Sequence, residues 1–198
     1  MLVAGTRRHA ASSKEVDMAA GRVDDETVQA ARTGDAAAFE SLVRATADAV
    51  YGHAYRFFAD AGTAEDAVQE VYLKVFRSLG TFDGRSSFTT WLFRVTRNVC
   101  LDMLRAGRRR PVPVDPLNAV TAPVGDIADE AVASVALETA LASLPPEDRD
   151  AFNAVALFGL SYEQAGDALE APVGTVKSRV HRARRSLVSL LGLGEGGA

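Results

Sequence analysis

Apolar positions recur with the period of an α-helix along most of the chain, and short turn signals stand between the periodic stretches. Asp24 or Asp25 suits the N-cap of a first short helix, Glu26 to Arg32. After a Gly34-Asp35 break, Phe39, Leu42, Val43, Val50, Ala54 and Phe58 mark a long amphipathic helix, which Asp60-Ala61-Gly62 is expected to end. Val68, Val71, Tyr72, Val75, Phe76 and Leu79 then predict a helix from Thr63 or Ala64 to Leu79, with Thr63 and Asp66 as its capping pair. A loop follows, turned by Asp83-Gly84, and Ser86 or Ser87 is placed to cap the next helix. Along that helix Phe88, Leu92, Val95 and Val99 face a core, flanked by Trp91. Arg108, Arg109 and Arg110 are expected just past its end.

The period then stops. Pro111, Pro113, Pro116, Pro123 and Gly125 interrupt any regular element, so residues 111–131 read as a linker. From Pro111 to Asp150 there are eight acids and one base, Arg149, which makes this segment acidic. A second helical period starts near Val132 and includes Leu137, Ala140, Leu141 and Leu144. Pro145-Pro146 stops it and, with Glu147 and Asp148, opens another helix in the usual order, proline first and acids in the first turn. That helix uses Phe152, Val155, Ala156 and Phe158 and is expected to end at Gly159. Ser161 and Gln164 fit a capping box for a short helix to Leu169. Glu170-Ala171 makes the turn, Pro172 takes a first helical position, and a final helix buries Val176, Val180, Ala183, Leu187 and Leu190. The fold class is therefore all-α: two small helical domains, 24–110 and 132–191, joined by a proline-rich acidic linker. Residues 1–23 and 192–198 are expected to be disordered, and Met18 is a candidate natural start.

Composition narrows the function. Of 198 residues 47% are hydrophobic, enough for packed cores, and few are aromatic, which favours helices over a sandwich. Cys100 is the single cysteine, so neither an intrachain disulfide nor a cysteine metal cluster is available. His9, His53 and His181 lack ligand spacing, and no metal or cofactor is expected. No run of apolar residues is long enough for a membrane span or a signal peptide, so a cytoplasmic protein with no membrane insertion is expected. There is no glycine-rich phosphate loop, nucleophile elbow or metal triad, so the chain does not read as an enzyme.

Charge is placed locally. The net charge is -4, yet six arginines and one acid, Asp102, fall between Arg94 and Arg110. Arg94, Arg97, Asn98 and Arg105 lie off the apolar stripe. Two readings of this face stay open: a solvated helix whose terminal arginines complement its dipole, or a nucleic-acid surface on which Phe82 and Phe88 stack against bases. The final helix is less ambiguous. Lys177, Arg179, Arg182, Arg184 and Arg185, with no acid between Gly174 and Leu191, follow a short helix and a tight turn, the pattern of a DNA-binding helix-turn-helix. Glu65, Asp66, Gln69 and Glu70 form an acidic face that either meets water or docks a basic partner.

Several of these stretches together carry a resemblance. Asp66-Ala-Val-Gln69-Glu70-Val-Tyr72, the run from Phe82 through Trp91-Leu92 to Arg97-Asn98, Leu144-Pro145, Gly159-Leu-Ser-Tyr162 and Pro172-Val-Gly174-Thr175-Val-Lys177-Ser178-Arg179 closely resemble bacterial RNA polymerase sigma factors of the extracytoplasmic-function group. The likeness covers about residues 25 to 191 in two separate segments. It implies that Asp66, Gln69 and Glu70 dock on the clamp helices of the polymerase's largest subunit, with the flap region of the second-largest subunit as a further partner. It also implies that Phe82, Asp83, Arg85, Ser86, Phe88 and Asn98 capture a base flipped out of the promoter's -10 element, with Arg94 and Arg97 on the strand. Gly174, Thr175, Lys177, Ser178, His181, Arg182 and Arg185 would read the -35 element. Two elements held across one linker give avidity. Members are commonly held inactive by an anti-sigma factor.

The chain departs from that pattern at Glu170, where the turn usually carries glycine, and at Gly166, where a larger residue is usual. The competing reading is a free-standing helix-turn-helix regulator, which would bind duplex DNA specifically without polymerase.

Overall fold

The structure is a computed structural model that describes residues 23–109, 136–137 and 139–192. The expected N-terminal segment, linker and tail fall outside these residues, Val23 and Gly192 apart. Among the described residues the regular elements are helical: α1 (Asp25–Arg32), α2 (Ala36–Phe58), α3 (Ala61–Ser78), a 3-10 turn (Leu79–Thr81), α4 (Phe88–Arg109), α5 (Pro146–Ala156), α6 (Tyr162–Leu169) and α7 (Val173–Leu190).

Aspartates start the first three helices. Asp24 accepts the Thr27 amide at 2.7 Å, and Asp35 accepts those of Ala37 and Ala38 at 2.9 and 3.0 Å. The third case corrects the sequence. Asp60, read there as part of a helix stop, accepts the Thr63 amide at 2.7 Å and its hydroxyl at 2.6 Å, so α3 begins at Ala61 and Thr63 is not its cap. Those two hydrogen bonds, the hydroxyl's first, hold the Asp60 carboxyl below its ordinary range. The chain reverses at one residue, Ala59, which takes a left-handed conformation with φ 54°.

Helices α2, α3 and α4 pack on one another and α1 lies on α2. Val28, Leu42, Val50, Val71, Val75, Leu92 and Val99 are buried between them. Thr46 and Tyr72 bridge α2 and α3 with a 2.9 Å hydroxyl pair, and burial pushes the Tyr72 phenol up to about 12. The buried stripe of α3 is Ala64, Ala67, Val71 and Val75. Phe76, which the sequence placed in that stripe, is instead 68% exposed and meets Phe39 edge-on. Small alanines allow α2 and α4 to come close on α3's inner side, which turns the larger ring outward.

Helix α4 runs to Arg109, so Arg108 and Arg109 extend the helix rather than follow it, while Arg110 lies outside the described residues. Ser87 supplies its cap, its hydroxyl accepting the Thr90 amide at 3.2 Å. Cys100 is buried, and burial pushes its thiol up to about 12, which leaves it a protonated apolar filler.

The second half is built from α5, α6 and α7. Pro145 takes the cap position and Pro146 the first turn of α5. Gly159, in the left-handed region, lets the Leu160 amide return to the Ala154 carbonyl at 3.0 Å and close the helix. The Ser161–Gln164 capping box opens α6 with both reciprocal bonds made, at 2.9 and 3.2 Å. Ala140, Leu141, Leu144, Ala183 and Leu187 form a smaller core between the segment before α5 and α7.

The two halves share one core. Ala151, Ala154, Leu157 and Phe158, from α5 and the turn after it, belong to the same buried cluster as Leu92 and Phe93 of α4. Helix α6 packs against α4 as well.

Candidate nucleic-acid interface

The turn between α6 and α7 sets the angle of the second helix, and both sequence departures lie in it. Glu170 adopts φ 52° and ψ 43°, the left-handed conformation that disfavours a side chain by about 1–2 kcal/mol. Gly166, one turn earlier, accepts the amides of Glu170 and Ala171 on its carbonyl. A Cβ there would stand 2.9 Å from the Ala171 carbonyl oxygen. The glycine that stands where a larger residue is usual is therefore a requirement of close approach.

From this turn α7 presents an exposed face. Gly174, Lys177, Ser178, His181, Arg182 and Arg185 are exposed and Thr175 is half-buried, while Val176, Val180, Ala183 and Leu187 are buried beneath. Lys177 sits over the Tyr162 ring at 5.6 Å and still faces solvent. Ser178 donates to the Thr175 carbonyl at 2.8 Å. Arg182 is less free than the sequence suggested: its guanidinium forks onto Asp148 at 2.9 and 2.6 Å, bonds that favour its charged form. Arg179 donates a single bond to Glu147, so the first turn of α5 braces α7.

On the first half, Asp83 accepts the Arg85 amide at 3.1 Å and pairs with its guanidinium at 3.1 Å, around Gly84 with φ 72°. Asp83 and Arg85 are exposed, Ser86 is half-buried. Phe82 and Phe88 are only 7% and 5% exposed and cluster with Trp91, their centroids 5.4 and 5.9 Å from its ring. Expected as stacking surfaces, they instead form the floor that fixes the loop, because Trp91 and the two rings satisfy one another.

Asn98 is exposed on α4, whereas its neighbours Arg94 and Arg97 reach into the second half. Arg94 donates to the Asp167 carbonyl at 3.0 Å and Arg97 to Asp150 at 2.7 Å. Asp102, the one acid of this stretch, pairs with Arg105 at 3.0 Å.

Asp66, Gln69 and Glu70 are exposed together on α3. Leu73 and Phe76, 48% and 68% exposed, continue that face by one turn. They were missed as surface residues, although their spacing of four and seven from Gln69 is a signal in the sequence. His53 was missed too: it is fully buried, ringed by Phe93 and Phe158, and burial pushes it down to about 4. Among the described residues no group of His, Cys, Asp and Glu could hold a metal ion, and no helix is long and apolar enough to cross a membrane.

Known proteins match both halves. The Sigma-70 region 2 profile matches residues 42–110 and the Sigma-70, region 4 profile residues 134–187. The ECF RNA polymerase sigma factor SigE of Mycolicibacterium smegmatis is 41% identical over 168 residues, 78% of this chain and 63% of that protein. The RNA polymerase sigma-H factor of Pseudomonas aeruginosa is 33% identical over 83% of this chain and 91% of its own length. Among solved structures, the sigma factor RpoE from Bartonella quintana, in complex with the anti-sigma factor NepR, superposes with a TM-score of 0.63 at 28% identity, covering 79% of this chain and 98% of that one. CnrH in complex with the cytosolic domain of CnrY gives 0.64 at 25% identity, over 86% and 97%. With a region 2 match on the helices that carry Asn98 and a region 4 match on the helix-turn-helix, the chain belongs to the sigma-70 family of promoter-specific transcription initiation factors, in its extracytoplasmic-function group.

Proposed function

We propose that the chain docks on core RNA polymerase through α3, reads the -35 element with α7 and traps a -10 base beside Asn98. The observation that carries this reading is the exposure of Lys177, Ser178 and His181 on one face of a helix held by a capped turn. Such a face enters a major groove without rearrangement. Gly174 and Thr175 would meet phosphate at the helix start, and Arg185 the backbone further on. Arg182, oriented by Asp148, reaches DNA only by sharing its guanidinium or leaving that carboxylate.

On α3, Asp66, Gln69 and Glu70 would meet a basic helical pair, the clamp helices of the largest subunit, and Leu73 and Phe76 supply the apolar centre such an interface needs. The flap region of the second-largest subunit would receive the second half. In the loop, Asp83, Arg85 and Ser86 line the entrance for a flipped base, held in shape by Phe82 and Phe88. Asn98 offers the base edge both a donor and an acceptor, and Arg94 and Arg97 would hold the strand. The chain catalyses nothing itself, works in the cytoplasm, and is restrained by an anti-sigma factor, as the RpoE complex with NepR suggests by likeness.

In vitro transcription with bacterial core polymerase and a library of promoter fragments tests this. The native chain is expected to direct start sites, Asn98→Ala to fail at promoter opening and Gln69→Ala at polymerase binding. Specific retention of duplex DNA by the chain alone, with no start site, would make it a free-standing regulator.

A further inference from the structure

The two halves meet along a seam in which Arg97 of α4 pairs with Asp150 of α5. The first turn of α5, opened by Pro146, has other partners: it sets Glu147 and Asp148 against α7. These two acids are used differently. The Glu147 side chain is 71% exposed and takes one bond from Arg179, whose own side chain is largely covered, so that pair braces the helix. Asp148 is buried, and the Arg182 side chain that meets it is 56% exposed. A fixed carboxylate thus holds a guanidinium that still lies on the exposed face of α7.

The choice of donors decides what Arg182 has left to offer. It donates from Nε to Asp148 Oδ2 at 2.9 Å and from Nη2 to Oδ1 at 2.6 Å. A guanidinium is planar and carries five N–H donors, so this side-on fork uses two and leaves three. Of those three, one on Nη1 and one on Nη2 point together from the far end of the plane. Such a pair matches the N7 and O6 acceptors that a guanine shows in the major groove. Beneath the side chain Val180 and Ala183 are buried, which fixes the backbone that carries it. A long side chain that would otherwise lose its rotamer freedom on binding is therefore held before DNA arrives.

We propose, on the role given above to α7, that Asp148 is a positioning residue for base reading: its fork turns the free end of the Arg182 guanidinium toward one guanine of the -35 element and withholds it from phosphate. The carboxylate then acts with opposite signs on two quantities. Its charge opposes the approach of any phosphate, while the orientation that it imposes favours one base pair. Affinity and discrimination separate at this residue.

The full chain bound to bacterial core polymerase, and the full chain alone, would each be mixed with random-sequence duplexes of promoter length, and the retained duplexes sequenced. With polymerase the native chain is expected to prefer guanine about tenfold at one position read by Arg182. Asp148→Ala should reduce that preference to about twofold and leave the other selected positions as they were. Arg182→Lys keeps the charge but cannot fork, and should flatten the same position. Asp148→Ala added to Arg182→Ala should change the profile no further. On a duplex without that guanine, Asp148→Ala should bind at least as tightly as the native chain, with a salt slope steeper by about 0.9, because the freed guanidinium takes one phosphate. Arg182 is open to water on its other side, so the fold is expected to persist in Asp148→Ala, and thermal melting of the variant checks this.

An unchanged base profile in Asp148→Ala overturns the proposal. So does an even loss at every position together with weaker binding to all duplexes, which a mere brace of α7 would give. Selection of the guanine by the chain alone and not with polymerase, lost in Asp148→Ala, would uphold the positioning and overturn the polymerase reading. No selection by the native chain in either setting overturns both.

Discussion

Arg97 Nε stands 2.7 Å from Asp150 Oδ2, although 53 residues of chain separate them. The carboxylate is nearly buried and the guanidinium a third exposed. Orphaning one partner of a fully buried pair costs about 3–5 kcal/mol, and partial exposure of Arg97 reduces that. Asp150→Ala should therefore lower stability by about 1–3 kcal/mol in a urea titration. In a double-mutant cycle with Arg97→Ala, the coupling should reach about 1 kcal/mol. Zero coupling would mean that water screens the pair.

His53 makes the same seam sensitive to acid. Burial pushes its pKa from the ordinary 6.5 to about 4; Asp150 of α5 pulls it up, and Arg149 of α5, Arg97 of α4 and Arg56 of α2 press it down. The folded chain thus binds fewer protons than the unfolded chain between these values. Stability from the neutral ring is complete above pH 6.5 and is lost as the pH falls through 6.5 toward 4, by about 3 kcal/mol. Thermal midpoints of the native chain and His53→Gln, measured across that window, should converge as the pH falls. Parallel curves would show that the ring stays hydrated.

The α6–α7 turn predicts two opposite substitutions. Gly166→Ala gains about 1 kcal/mol of helix propensity but drives a methyl to within 2.9 Å of a backbone carbonyl, so a net loss of about 1–3 kcal/mol is expected. Glu170→Gly relieves the left-handed residue and should gain about 1 kcal/mol. Chemical denaturation reads both, and a stabilised Gly166→Ala would show that the close approach is absent in solution.

Phe76 offers a separation of stability from binding. Its ring is largely exposed, so Phe76→Ala should leave the melting temperature almost unchanged. If α3 is the polymerase-docking face, the same variant should weaken binding to core polymerase about tenfold or more, a loss of about 1.4 kcal/mol. Equal binding by pull-down titration would move the interface elsewhere.

Most of the helices were legible because their apolar period is regular and their caps are local: Asp24, Ser87 and the Ser161–Gln164 box needed only neighbours three residues away. Errors came where a residue serves two neighbours. Asp60 follows one helix and caps the next, so its first role concealed its second. Phe76 had the spacing of a core residue, but alanines fill that side of α3. The candidate site was legible in its basic and acidic faces and not in its seam. His53, Asn153 and Phe158 meet across 100 or more residues, and no local period announces such a pairing. Phe93 carried a trace of it, since it is a large ring set off the main stripe of α4.

The shared core joins two parts of one chain, and so dilution cannot separate them. A tethered contact works against an effective concentration in the millimolar range, so attraction too weak to detect between free fragments would still keep most molecules closed.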